Sequence, residues 1–231
     1  MIFRIVTLFP DYFTGPLETG LTGRAVKSGI IEFHLVSLRD YTIETERCDD
    51  YPYGGGSGMV LKPEPLFRAV EPLKKNGRRI LLTSPSGVPL KQTDVERLSR
   101  INDISIICGH YEGIDRRAID LLVDEEISIG DYILSCGEIA ALAITDSIAR
   151  YVPGFMLNPS SLEEESFQDD LLEYPQYTRP ENFRGSGVPE VLLSGDHKKI
   201  YEWRLNQRIS RTRELRPDLF KKYLTRKLSG D

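Results

Sequence analysis

Three stretches decide the fold: Arg79-Ile80-Leu81-Leu82-Thr83 running into Ser84-Pro85-Ser86-Gly87; Ile104-Ser105-Ile106-Ile107-Cys108 running into Gly109-His110-Tyr111-Glu112-Gly113; and Glu126-Ile127-Ser128-Ile129 running into Gly130-Asp131-Tyr132-Ile133-Leu134-Ser135-Cys136-Gly137-Glu138. Each is a short β-rich run that ends in a glycine-bearing loop. Working outward, Ile2–Leu8 and Glu32–Leu38 read as two further strands. Helical patterns fill the gaps at Leu17–Lys27, Glu64–Lys75, Gln92–Arg100 and Asp115–Leu122, and Glu138–Tyr151 follows as a long helix. This alternation predicts an α/β domain built on a mainly parallel sheet.

In open α/β sheets, ligands bind beyond the carboxyl ends of the strands. Glycines there let the main chain approach a ligand closely. The three loops together predict a pocket of main-chain donors and acceptors suited to an adenosine-containing cofactor, although each loop alone is only a turn. Gly54-Gly55-Gly56-Ser57-Gly58 lacks the Gly-Lys-Ser/Thr ending of a phosphate loop and the dinucleotide-binding spacing. It is either a substrate loop or a tight structural turn. His110 has no Gly-x-Ser-x-Gly elbow or identifiable Asp partner, so it reads as a residue of the pocket rim. Cys108, at a strand end, reads as a small buried hydrophobe.

Composition narrows the class. The 231 residues are 40% hydrophobic and 28% charged, which suits a globular chain with a sizeable core. No apolar run approaches the ~20 residues of a membrane span, and Met1-Ile2-Phe3-Arg4 does not open a signal peptide; the expected location is the cytosol, with no membrane partner. Cys48, Cys108 and Cys136 are scattered, as are His34, His110 and His197, so neither a disulfide framework nor a dedicated metal cage is expected. The net charge of −5 points away from nucleic acid, but its distribution does not. Residues 197–231 hold 11 Lys and Arg against 4 Asp and Glu, and the rest hold 19 against 31. A basic tail on an acidic body suits a polyanion-binding appendage or, equally, a solvated helical tail.

After Val152 the texture changes. Residues 153–190 are rich in Pro, Gly, Ser and acids, including Glu163-Glu164-Glu165 and Asp169-Asp170, and read as a linker. Asp196 is a plausible N-cap for a helix to about Thr212, and Pro217 starts a last helix to about Lys227. Arg204, Arg208 and Arg211 share one face of the first of these.

These blocks, in this order, resemble the bacterial tRNA (guanine-N1)-methyltransferase family, TrmD. The resemblance covers nearly the whole chain: Leu8-Phe9-Pro10, Gly23-Arg24-Ala25-Val26-Lys27, Asp49-Asp50, Pro52-Tyr53-Gly54-Gly55-Gly56, Gly58-Met59, Cys108 to Asp115, Ser128 to Tyr132, Tyr177-Thr178-Arg179-Pro180, Leu192-Leu193-Ser194-Gly195 and Trp203-Arg204-Leu205. It implies a SPOUT-type sheet with a deep trefoil knot, which composition could not suggest. It also implies a homodimer with the active site at the subunit interface and a small α-helical C-terminal domain. S-adenosylmethionine would be surrounded by Pro85, Gly109, Tyr111, Glu112, Gly113, Ser128, Ile129, Gly130, Tyr132, Leu134 and Gly137. Mg2+ would assist, if at all, without a dedicated protein site.

Two departures stand out. The family usually has Gly-Gly-Glu where this chain has Cys136-Gly137-Glu138, and its general base is an aspartate before Ser-Phe where this chain has Glu165 before Ser166-Phe167. By the resemblance Glu165 takes the proton from guanine N1 and Arg150 steadies charge at O6. Read alone, Glu165 is an exposed acid of the linker and Arg150 a cation at a helix C-terminus. The expected organisation is a cofactor domain over residues 1–160, a linker over 161–190, and a tRNA-binding domain over 191–231 that grips phosphates through Arg204, Arg208 and Arg211. The expected reaction moves a methyl group to N1 of the guanine beside the anticodon. Two rivals are a SPOUT enzyme that methylates a ribose 2′-hydroxyl and an RNA-binding protein without catalysis. The carboxylate before Ser166-Phe167 disfavours the first, and the clustered pocket loops disfavour the second.

Overall fold

A computed structural model of the chain describes residues 1–43, 46–75, 77–158 and 165–229; Glu163 and Glu164 of the acidic run lie outside them. The chain forms two compact units, Met1–Leu157 and Asn158–Asp231.

The first unit is built on five strands: β1 (Ile2–Thr7), β2 (Glu32–Ser37), β5 (Arg79–Pro89), β6 (Asp103–Cys108) and β7 (Glu125–Ser128). Two short strands, β3 (Asp49–Asp50) and β4 (Val60–Leu61), pair antiparallel outside the sheet. The five strands lie in the order β2-β1-β6-β5-β7, every neighbouring pair parallel. The sheet is therefore parallel throughout, and its helices cross between strands.

Both faces are covered, as such crossovers require. Along each strand alternate side chains point to opposite faces. Phe3, Ile5, Leu81, Ile104 and Ile106 pack in one core with Phe13, Phe155 and residues of three helices: Ala25 of α2 (Gly20–Lys27), Val95 and Leu98 of α4 (Gln92–Leu98), and Ile144 and Ile148 of α6 (Gly137–Ala149). Val6, Ile80, Leu82 and Ile107 face the other way. They meet Leu66 and Val70 of α3 (Pro63–Val70) and Ala118 and Leu122 of α5 (Arg116–Leu122).

Two local readings change. The helix expected over Leu17–Lys27 is interrupted: α1 (Thr14–Glu18) and α2 flank Thr19, whose backbone is extended at φ −116° and ψ 162°. Strand β5 does not end at Thr83. Thr83 and Val88 both pair with Ile127, so residues 84–87 bulge out between two pairings with one partner, and the strand resumes to Pro89.

The second unit holds a small hairpin, β8 (Asn182–Phe183) and β9 (Ser186–Gly187), and the helices α7 (Glu190–Leu193), α8 (His197–Leu215) and α9 (Pro217–Ser229). Asp196 caps α8 by accepting from Lys199 N–H. Part of the stretch expected as linker is packed: Leu171 and Tyr174 are buried, and Leu172 N–H donates to Oγ1 of the buried Thr212 at 2.8 Å. Among the described residues no helix is long and apolar enough to cross a membrane.

Candidate active site

The bulge within β5 and the glycine-bearing loops after β6 and β7 converge and wall a cleft of about 350 Å³. All eleven residues expected around the cofactor line it: Pro85, Gly109, Tyr111, Glu112, Gly113, Ser128, Ile129, Gly130, Tyr132, Leu134 and Gly137. The loops are held together through main-chain N–H groups. Gly137 N–H donates to Gly109 O at 2.9 Å, and Gly109 N–H to Thr83 Oγ1 at 3.1 Å. A Cβ on Gly137 would stand 2.3 Å from Thr83 Oγ1 and 2.5 Å from Gly109 N. No side chain fits there without moving two loops. Gly130, at φ +154°, carries the chain past the Tyr132 ring, where an added Cβ would come within 2.4 Å. Glu112 N–H donates to Met59 O at 3.0 Å, which ties the end of the Gly54–Gly58 loop to the cleft.

Beside the cleft lies a charge the sequence did not single out. Glu138, second residue of α6, is fully buried. Its Oε1 accepts from Thr7 Oγ1 and lies 2.7 Å from His110 Nε2. Burial alone would raise its carboxyl; hydrogen bonds from His110 and Thr7 outweigh this and hold it below the usual carboxylate value. Cys108 goes the other way: burial, with the Glu138 charge added, pushes its thiol well up, so it stays neutral, as a buried hydrophobe rather than a nucleophile would. Cys136 caps α6 at φ −160° and ψ 156°, extended backbone that any residue adopts, so the cysteine here costs no strain.

With this geometry in hand, the likeness to known proteins is informative. The family model described as tRNA (Guanine-1)-methyltransferase TrmD matches residues 1–222. The chain belongs to the TrmD family. A tRNA (guanine-N(1)-)-methyltransferase of Thermosynechococcus vestitus is 50% identical over 229 residues, covering 98% of this chain and 97% of the relative. The protein of the same name from Gloeobacter violaceus is 52% identical over 222 residues, 95% of this chain and 98% of its own. That from Carboxydothermus hydrogenoformans is 52% identical over 222 residues, 96% and 88% respectively.

The remaining candidates of this TrmD-family chain lie elsewhere. Arg150 is the C-cap of α6, whose first residue, Gly137, lines the cleft. Arg150 follows Gly137 by thirteen helical steps, roughly 20 Å at 1.5 Å per residue. Within one chain the structure does not bring Arg150 to the cleft.

Glu165 belongs to the second unit and is partly buried. The chain after it is tightly folded: Ser166 Oγ accepts from Glu173 N–H at 3.0 Å, and Phe167 N–H donates to Leu171 O at 2.8 Å. Phe167, Asp169 and Asp170 take left-handed φ values of 79°, 56° and 57°, rare for residues with side chains. Arg226 of α9 reaches both acids, at 3.4 Å from Asp169 and 3.6 Å from Asp170.

The three arginines of α8 divide. Arg204 stacks on the Tyr174 ring at 4.6 Å, and Arg208 lies 4.0 Å from Asp169, both partly buried. Arg211 is exposed. Helical spacing put all three on one face but could not tell which turn inward.

Thr7 and Glu138 are the residues that sequence reasoning passed over. The available signal was an acid in the first turn of an otherwise apolar helix, Gly-Glu-Ile-Ala-Ala-Leu-Ala-Ile. An acid at a helix start is also what the helix dipole favours, so the signal was ambiguous.

Proposed function

We propose that this chain transfers the methyl group of S-adenosylmethionine to N1 of guanine 37, beside the anticodon of tRNA. The observation that carries the reading is the meeting of all eleven expected cofactor residues along one cleft formed by the bulge of β5 and the loops after β6 and β7. The cleft fits the group on its own terms. Its size is that of a small-molecule pocket, and its walls are main chain packed so closely at Gly137 and Gly109 that an adenosine can be met by backbone donors and acceptors. The cofactor supplies an electrophilic methyl group; the protein supplies position and electrostatics.

The protein residues do the rest. N1 of guanine carries a proton near neutral pH, and Glu165 takes it as the new bond forms. Negative charge that spreads toward O6 is met by the guanidinium of Arg150. The length of α6 supports a homodimeric site, because an arginine roughly 20 Å along the helix from Gly137 serves a second copy's cleft more readily than its own. In this reading the first unit is a SPOUT-type cofactor domain with a deep trefoil knot, residues 161–190 carry the base, and residues 191–231 grip tRNA. Exposed Arg211 is the phosphate contact, while Arg204 and Arg208 also shape the unit itself. The enzyme works in the cytoplasm.

Methyl transfer to purified tRNA, followed by nucleoside digestion, tests the reading. The expected product is 1-methylguanosine at position 37; a 2′-O-methylated nucleoside, or no product from a protein that binds tRNA, would overturn it.

A further inference from the structure

Glu138 is an unusual thing to bury. Its side chain is fully enclosed, and Oε2 is shielded from solvent with no hydrogen-bond partner among the described residues. Leaving a carboxylate oxygen so costs stability unless something else gains. The other oxygen is over-determined. Thr7 Oγ1 donates to Oε1 while accepting from Phe9 N–H at 2.9 Å, and His110 Nε2 sits 2.7 Å away. An ionised carboxylate only accepts, so Nε2 carries the hydrogen. The His110 ring is itself packed against Phe9, with centroids 5.1 Å apart. Glu138 is thus fixed by the end of β1 and by the loop after β6, one residue from Gly137 and bonded to His110, both of which line the cleft.

The proposed reaction changes charge in that cleft. The S–CH3 bond of the donor breaks as the N1–CH3 bond forms, the proton of N1 leaves to Glu165, and the sulfonium cation becomes a neutral thioether. We propose that Glu138 is a specificity-determining anion beside the cleft, set in place by Thr7 and His110, that favours the cationic sulfonium donor over the neutral thioether product. The inference rests on the methyltransferase reading above. Glu112 lines the cleft itself but is exposed, where solvent screens it; a buried charge is screened far less. Holding donor more tightly than spent product lets the thioether leave after each turnover.

Calorimetric titration of the full chain with S-adenosylmethionine and with S-adenosylhomocysteine tests this without reference to activity. Wild type must first bind the donor; failure there sinks the functional reading rather than this one. Glu138→Gln keeps the size and the Oε1 acceptor and removes the charge. It should weaken donor binding about tenfold while product binding shifts by no more than about twofold, the order expected for one unit charge acting across a cleft at an effective dielectric near 20. An unchanged ratio of the two affinities in Glu138→Gln would overturn the proposal. Thr7→Val removes one hydrogen bond and keeps the charge, so it should keep the ratio even if both affinities fall, and loss of the ratio there would assign the preference to geometry instead. Thr7→Val also keeps the idea testable should Glu138→Gln fail to fold.

Discussion

Two regions of this molecule hold their backbones in uncommon shapes, and they do so by opposite means. In the cleft, Gly113 at φ +144°, Gly130 at φ +154° and, with a side chain, Tyr111 at φ +58° take the uncommon shapes, and crowding supplies the constraint: Gly137 and Gly109 are pressed so near Thr83 that their hydrogens are all the space allows. In the segment after Glu165, residues with full side chains, Phe167, Asp169 and Asp170, occupy the left-handed region. What holds them is Leu171 in a core, Leu172 hydrogen-bonded to Thr212, and the ion pairs of Asp169 and Asp170 with Arg226. The first shape rests on packing, which is stiff and indifferent to salt. The second rests partly on exposed charge, which salt weakens. Strained backbone held in this way is a pointer to function, and here it follows directly on the proposed base.

The largest expected effect tests whether that second region is catalytic at all. Glu165→Gln keeps size and hydrogen bonding but cannot accept the N1 proton, so the single-turnover rate should fall by about 10²–10⁴ with donor affinity unchanged. Asn at Asp169 or Asp170 is the control. A near-normal rate in Glu165→Gln would move the role to Asp169, inside the strained segment itself.

The next strikes the cleft. Gly137→Ala must push Thr83 or the Gly109 loop aside, so unfolding free energy should drop by about 1–3 kcal/mol, seen as a lower melting temperature together with lost calorimetric binding of the donor. If alanine were accepted with neither change, the cleft would be softer than its crowding implies.

A smaller effect separates the two regions by their response to salt. Arg226→Ala removes both ion pairs to Asp169 and Asp170 and should cost no more than about 1 kcal/mol. Hydrogen exchange at Phe167 and Leu172 should quicken in the variant at low salt and match wild type at high salt, while exchange at Gly137 stays constant throughout. Equal responses in both regions would remove the distinction. The smallest is Cys136→Gly. The cysteine sits in extended backbone at the helix cap and its side chain makes no hydrogen bond to the start of the helix, so stability should change by only a few tenths of a kcal/mol and donor binding should hold.

Much of this was legible because strands and their ends announce themselves locally. Hydrophobic runs, three of them ending in glycine-bearing loops, located all five sheet strands to within a residue or two at most boundaries, and Asp196 and Pro217 marked the starts of α8 and α9. Where reading and structure part, a neighbour distant in sequence intervened. The pairing of both Thr83 and Val88 with Ile127 extended β5 beyond the expected loop.

By itself the sequence determined the α/β class, the loops that wall the cleft, and membership of a family whose motifs it carries in order, because these depend on residue type and local spacing. The tertiary structure alone decided the rest. It buried Glu138 against residues 131 and 28 positions away in the chain, turned Arg204 and Arg208 inward while leaving Arg211 to solvent, and set Arg150 a helix length from Gly137. Those outcomes depend on which elements pack together. The sign and strength of a charge's effect depend on what surrounds it, and a one-dimensional pattern does not contain its surroundings.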